Sequence, residues 1–263
     1  MTRNRINVPP LAAATVAILG VLAVWQLVAS LGVLPAYAFA PPRAVGERLL
    51  QLARDGSLGA SLAASLVRMA YGFTLAAGVG LFIGLAMGVS ATVGAGLRSL
   101  FLGLQMLPSA AWVPLALLLF GLRDAAITFV IVMSATPAMA IATADGIAHI
   151  PPELLRAART LGVSRLAMGT RVVLPAALPG IVTGIKLGWT LGWHGVVSAE
   201  LIRSSVGLGF LLHAGRELSD AAQVLGIMAV TVVVGLLLDR LLFAWIERWV
   251  RARWGFAPEA ALA

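Results

Sequence analysis

The chain has 263 residues, 60% of them hydrophobic and 11% charged, with a mean hydropathy of +0.97 and a formal charge of +8 at neutral pH. A soluble domain has roughly a quarter of its residues charged, so a water-soluble globule is excluded and lipid must be the main solvent. There is no cysteine, which excludes disulfides and thiolate metal sites.

The remaining metal ligands are sparse. His149, His194 and His213 are too far apart in sequence for a ligand cluster, so no metal site is expected. The arginines are scattered between apolar runs with few aromatics beside them, which gives no base-stacking platform and no nucleic-acid partner.

Roughly 20 mainly apolar residues cross a bilayer as a helix. Residues 11–34 form the first such run, uncharged and preceded by Arg3 and Arg5. It is too long for a signal-peptide core and reads as an uncleaved anchor. Residues 35–59 turn polar around Pro41-Pro42. Within them Val45, Leu49, Leu52 and Ala53 share one helical face, as in a helix lying at the membrane surface.

Further spans are predicted at 62–89, 100–122, 125–148, 179–197 and 221–246. Arg123-Asp124 makes a tight polar turn, Pro137 should bend the fourth span, and 149–171 is a basic stretch. The chain is therefore expected to be all-α and multi-pass, with about six transmembrane helices. Its parts would be an anchor and amphipathic segment over 1–60, a core over 61–250 and a tail over 251–263.

Two glycine series stand out, Gly80-Gly84-Gly88 in the second span and Gly180-Gly184-Gly188-Gly192 in the fifth. Four-residue spacing puts each series on one face, where another backbone can approach closely. Such a face serves either as static packing or as a sliding seam.

Six spans put both termini on one side. Arg3, Arg5, Arg98, Arg156, Arg159, Arg165, Arg171, Arg248, Arg251 and Arg253 then share that side, against Arg43, Arg48, Arg54, Arg68, Arg123, Arg203 and Arg216 on the other. The positive-inside rule makes both termini cytoplasmic.

Charges in or near spans are costly and call for a role. Asp145 should be solvated near the cytoplasmic end, and Asp239 and Arg240 should neutralise each other or reach headgroups. Lys186 either snorkels, pairs or faces a pathway. Glu200 ends the fifth span with Trp193 and His194 within two turns and Trp189 deeper. Lys186, Trp189, Trp193 and Glu200 are the candidate pathway residues, with interfacial anchoring of Trp193 and plain packing of Trp189 as alternatives. No Gly-x4-Gly-Lys-Ser/Thr occurs, so the chain has no phosphate-cradling loop for ATP.

The basic stretch reads Pro151-Pro152-Glu153-Leu-Leu-Arg156-Ala157-Ala158-Arg-Thr-Leu-Gly162, then Leu174-Pro175. Two prolines followed by Glu153 make a good helix start. This stretch resembles the Glu-Ala-Ala…Gly…Leu-Pro loop of binding-protein-dependent permeases, matched at Ala157, Ala158, Gly162, Leu174 and Pro175. Arg156 stands at the Glu position, with Glu153 one turn earlier.

Other segments are similar to the nitrate/sulfonate/taurine branch of that family. They are Ser65-Leu-x-Arg68-x3-Gly72-Phe73, Pro108-x-x-Ala-Trp112-x-Pro114-Leu115, Gly184-Ile-Lys186, Ala199-Glu200 and Gly207-Leu-Gly209.

The resemblance implies the fold of a type I ABC importer permease in the cell inner membrane, embedded in membrane lipid. It implies a coupling loop at 149–175 in the cytoplasm, with Ala157 and Ala158 facing an ATPase groove and Gly162 at the turn. It also implies two ATPase subunits that bind ATP, a second permease copy forming a homodimer, and a solute-binding protein delivering a small anion such as a sulfonate, taurine or nitrate. No catalytic residue or cofactor is expected in the chain itself. A stand-alone secondary transporter would show internal repeats around midplane charges, and none is evident. A membrane enzyme would need clustered catalytic carboxylates or histidines.

Overall fold

The computed structural model describes residues 10–32, 35, 38–202 and 206–254. Arg3, Arg5 and Arg203, the side chains of Arg251 and Arg253, and the tail beyond Trp254 lie outside the described residues. The described part is helical: α1 (Pro10–Ser30), α2 (Pro42–Arg54), α3 (Ser57–Val89), α4 (Ala91–Gln105), α5 (Trp112–Phe120), α6 (Asp124–Ala148), α7 (Pro152–Thr160), α8 (Arg165–Ala167), α9 (Leu174–Glu200), α10 (Leu208–Glu217) and α11 (Ala221–Trp254). Four helical stretches are long and apolar enough to cross a membrane, namely 57–89, 124–148, 165–200 and 221–244, and the bent α4–α5 pair makes a fifth. Helix α1 has 21 residues, enough length for another.

The core is built around α6. On one side the glycines of α3 meet it at a constant sequence offset: Gly72 lies against Ile131, Gly80 against Met139, Gly84 against Thr143 and Gly88 against Ile147. A constant offset means parallel helices. On the other side Gly180 lies against Gly146, Gly184 against Ala142 and Gly188 against Met139, a falling register that makes α9 antiparallel to α6. Both glycine series thus pack against the same helix. A Cβ at Gly80 would stand 2.7 Å from Met139 Cβ, and one at Gly84 would stand 2.7 Å from the Ala140 carbonyl oxygen.

Because α3 and α6 run the same way, the chain between them must return across the bundle. It does so through α4 and α5, and the straight third span expected from sequence is instead broken by 92°. The cause is Pro108. It lacks an N–H, and its ring excludes the carbonyl four residues back. The last turn of α4 tightens, with Met106 and Leu107 donating to the Gly103 and Leu104 carbonyls at 3.2 Å each. A 3-10 turn at Ser109–Ala111 then opens α5.

Helix α6 carries Pro137 within one continuous helix. One other boundary differs from expectation. The fifth span does not begin at Pro179, because α8, a π-helical turn at Met168–Val173 and α9 follow one another without a gap. The wider π turn precedes Pro175 and gives its ring room where an α turn would clash.

Helix α2 lays Val45 and Leu49 against Gly226 of α11, so protein rather than lipid covers its apolar face, while Ala53 is exposed. Arg48 fastens it by pairing with Asp220 at 2.9 Å and donating to Gln223 Oε1 at 2.6 Å. Between α2 and α3, Asp55 accepts the Ser57 N–H at 2.9 Å, and hydrogen bonding from Ser57 holds its carboxyl below the usual carboxylate range.

The α3–α6 contact yields a test. Gly84→Ala and Gly78→Ala add the same helix propensity, but a Cβ at Gly78 meets nothing within 4 Å. Gly84→Ala should cost about 1–3 kcal/mol by overpacking and lower the thermal midpoint in detergent, whereas Gly78→Ala should hold or raise it. Equal midpoints for the two variants would contradict the packing account.

Candidate functional site

Three groups of residues have features beyond packing. The first lies where α3, α6, α9 and α10 meet. Glu200 is fully buried at the end of α9. Its carboxylate accepts from Ser65 Oγ at 2.7 Å, Arg68 Nη1 at 2.7 Å and the Gly209 N–H at 3.1 Å. Ser65 Oγ in turn accepts the Leu208 N–H at 2.9 Å. Arg68 also reaches Asp124 at 3.0 Å and the Val206 carbonyl at 2.6 Å. A side chain at Gly207 or Gly209 would collide with Glu200.

This arrangement suits a buried carboxylate: a cation, a hydroxyl and an amide at the start of a helix each stabilise its charge. Three sequence fragments, Ser65…Arg68, Ala199-Glu200 and Gly207-Leu-Gly209, therefore form one cluster. The pathway position expected for Glu200 does not fit, since no face of its side chain is open. The cluster ties helices together instead.

The second group lies on the open side of α9. Lys186, Thr190, His194 and Ser198 follow one another at four-residue spacing, so they stack along one face. Lys186 pairs with Asp239 of α11 at 3.6 Å, so Asp239 is neutralised across the helix pair and not by its neighbour Arg240. A groove of about 470 Å³ between α9 and α11 is walled by Lys186, Trp189, Thr190, Trp193, His194 and Asp239 among others.

Trp189 and Trp193 contribute mostly by packing. Trp189 meets Phe73 edge-on at 5.1 Å and Phe243 at 6.2 Å, and Trp193 donates to the Thr231 carbonyl at 3.3 Å. Of the four expected pathway residues, the structure brings Lys186, Trp189 and Trp193 to one groove and places Glu200 elsewhere. Thr190 and His194 were not singled out from sequence for this face. The four-residue spacing from Lys186 was the available signal.

His194 also borders a second cavity, of about 250 Å³, at the break between α4 and α5, beside Gln105, Ser109 and Ser134. Ser109 and Ser198 share a hydrogen bond of 3.2 Å between their hydroxyls, joining the break to α9. At the opposite end of the bundle Asp145 is paired with Arg98 of α4 and not simply solvated.

The third group is α7 and the turn after it. Pro152 and Glu153 occupy its first turn and Arg159 its last, matching the helix dipole. Glu153 and Arg156 pair at 2.9 Å on the exposed surface. Gly162 has φ +74°, the left-handed conformation that favours glycine. Gly162 N–H donates to the Arg159 carbonyl at 3.0 Å and Val163 N–H to that of Ala158 at 3.2 Å. This pair of bonds is the Schellman stop.

The two alanines do not share a face. Ala157 is exposed, but Ala158 is 7% exposed, one turn on from Leu155, which packs against the Ile150–Ala177–Ile181 cluster. Leu154, Ala157 and Leu161 form the outward apolar edge, with Leu161 82% exposed and Leu166 79%. Leu174 is 40% exposed and Pro175 sits in the first turn of α9.

The Glu200 cluster should control stability. Removing one partner of a buried ion pair costs about 3–5 kcal/mol, so Glu200→Ala should sharply lower the thermal midpoint and the yield from membranes. Ser65→Ala removes two hydrogen bonds, leaving Glu200 and the Leu208 N–H each one partner short, and should cost at least about 1–3 kcal/mol. A Glu200→Ala protein that unfolds at the wild-type temperature would refute this.

Comparisons with known proteins agree with this architecture. Residues 76–254 match the family described as "Binding-protein-dependent transport system inner membrane component". The bicarbonate transport system permease protein CmpB of Synechococcus elongatus is 36% identical over 242 residues, spanning 89% of this chain and 87% of that protein. The taurine transport system permease protein TauC of Escherichia coli is 34% identical over 223 residues, spanning 83% and 81%. Among solved structures, the inward-facing MetNI methionine ABC transporter superposes with a TM-score of 0.58 at 20% identity, over 70% of this chain and 94% of that one, a likeness of fold. The chain therefore belongs to the binding-protein-dependent ABC transporter permeases, in the branch of the bicarbonate, nitrate, sulfonate and taurine permeases.

Proposed function

We propose that the chain forms the translocation pathway of an ABC importer for a small anion such as a sulfonate, taurine, nitrate or bicarbonate. It does so as one of two identical copies, with a solute-binding protein delivering the anion and two partner ATPase subunits supplying energy. The observation that carries this reading is the α7 surface. A chain with no phosphate loop of its own presents a rigidly stopped helix with an exposed apolar edge. An exposed leucine edge between charged residues is the mark of a protein interface.

The ATPase groove would receive Leu154, Ala157 and Leu161, with Glu153 and Arg156 as a polar rim. Ala158, Leu174 and Pro175 would act from behind by fixing α7 on α9, and Gly162 by ending it. Movement of the ATPases would pass through α7 into the continuous 165–200 helix. At 36 residues and 1.5 Å each this is a rod of about 54 Å. The polar face of α9 would line the pathway, since unlike a lipid-facing surface it carries Lys186, Thr190 and His194. The anions carried by the relatives and the His194 ring on that face support a small anion. In this orientation the α7 end and both termini are cytoplasmic.

Two measurements test the reading. A reporter active only in cytoplasm should work when fused at Arg165 and be silent at Glu217; activity at Glu217 would reverse the orientation. Leu161→Asp removes the burial of one leucine, about 1.5–3 kcal/mol, so ATPase retained on the purified permease should fall roughly ten- to a hundredfold, with uptake lost and membrane level kept. Arg165→Ala should do much less. If Leu161→Asp keeps its ATPase, α7 is not the docking helix.

A further inference from the structure

The cavity at the α4–α5 break has an unusual wall for a site within a membrane span. Gln105, Ser109, Ser134 and His194 border it, and none of the residues around it is Asp, Glu, Lys or Arg. His194 lies six residues before the end of α9, roughly 9 Å along the helix, so the cavity lies below the end of that span, and it opens sideways where His194, Met106 and Leu107 are exposed.

Its polar groups are short of partners. Thr74, Thr128, Thr183 and Thr190 each turn their hydroxyls onto the carbonyl four residues back. Ser134 does not, and its buried Oγ has no hydrogen-bond partner in the protein. Ser109 and Ser198 use one hydroxyl hydrogen between them and leave the other free. The helix that opens at Ser109 runs to Phe120, so its unpaired first N–H groups belong to a half-helix starting at the break. Irregular backbone at membrane depth persists where it lines a cavity and not where it meets lipid.

We propose that this cavity is a resting site for a small oxyanion crossing the membrane. The ion would be held by the Gln105 amide, the Ser109 and Ser134 hydroxyls and a His194 ring N–H, at the positive end of the half-helix. The inference rests on the importer reading above and adds the site and the means of binding. A cation would find no carboxylate here. An apolar solute would leave the Ser134 hydroxyl and the free hydrogen of the Ser109–Ser198 pair without acceptors. An oxyanion meets donors on several sides, and because the donors are neutral side chains it is held loosely enough to leave, as conduction requires. The Lys186–Asp239 pair in the groove beyond His194 offers no unbalanced charge that would trap it.

The chain has no cysteine, so single cysteines report directly. In the full complex with its ATPases and binding protein in proteoliposomes, Gln105→Cys, Ser134→Cys and His194→Cys are treated with an anionic (sulfonatoethyl) and a cationic (trimethylammonioethyl) methanethiosulfonate. Each rate is divided by that of a free thiol. The anionic reagent should be favoured at least about tenfold at these positions. No reaction at all three, or equal or reversed preference, overturns the proposal.

Uptake of nitrate, bicarbonate and taurine, and of an alkanesulfonate, is then measured. Ser134→Ala and His194→Leu should lower uptake of the transported anion about tenfold, the scale of one hydrogen bond to an ion, while the loaded binding protein still stimulates ATP hydrolysis. His194→Gln keeps a donor and should stay within about twofold. If the wild-type complex accumulates none of the three anions and no alkanesulfonate, the importer reading fails. If it accumulates one and the variants match it, the resting site fails.

Discussion

Close contact between glycine backbones and one central helix is the constraint on which the rest of this bundle depends. Helix α6 has α3 on one side and α9 on the other, and at each contact a glycine leaves the space that a residue of α6 occupies. In lipid there is little hydrophobic drive to bring helices together, so association relies on dispersion contacts and on how near the backbones come. The pairing register then sets direction: α3 runs with α6, α9 against it, and the chain between α3 and α6 must cross the membrane again. The break at Pro108 is how that return is made, and it opens the cavity beside α9.

The ends of the bundle are secured differently. At the α10 end a buried carboxylate gathers four elements, because every lone pair of Glu200 that faces protein needs a donor. A side chain at Gly207 would occupy the carboxylate's space, and one at Gly209 would meet the Val197 carbonyl and the Glu200 Cβ. At the α7 end the device is a helix stop, with Gly162 in a conformation that other residues avoid and two carbonyls of the last turn satisfied. One end holds charge in a dry interior and the other presents a stiff, apolar edge outward.

The family was legible because its motif residues hold fixed structural positions: Ala158 on the buried side of α7, Gly162 at positive φ, Pro175 after the π turn, and Ser65, Arg68, Glu200 and Gly209 in one hydrogen-bonded cluster. Such roles leave a residue little choice of type, so they show in a single sequence. Their partners did not show. Glu200 reads as an intramembrane charge in need of a purpose, and sequence alone could not reveal that Arg68, 132 positions away, supplies its counter-charge. The two adjacent alanines of α7 read as one small face, whereas a helix turns about 100° between them and puts Ala158 against the body of the protein.

Sequence by itself determined that lipid is the solvent, that the chain is helical with several spans, where most spans lie, and which family it joins. Each of these follows from local composition, period or residue type, which need no knowledge of neighbours. Only the tertiary structure decided that both glycine series grip one helix, that the third span is bent by 92°, that Lys186 answers Asp239, and that the polar face of α9 meets a cavity at the break. Those depend on which distant segments come within a few ångströms of each other, and the energy of an intramembrane charge or an orphaned hydroxyl is set by what stands at that distance.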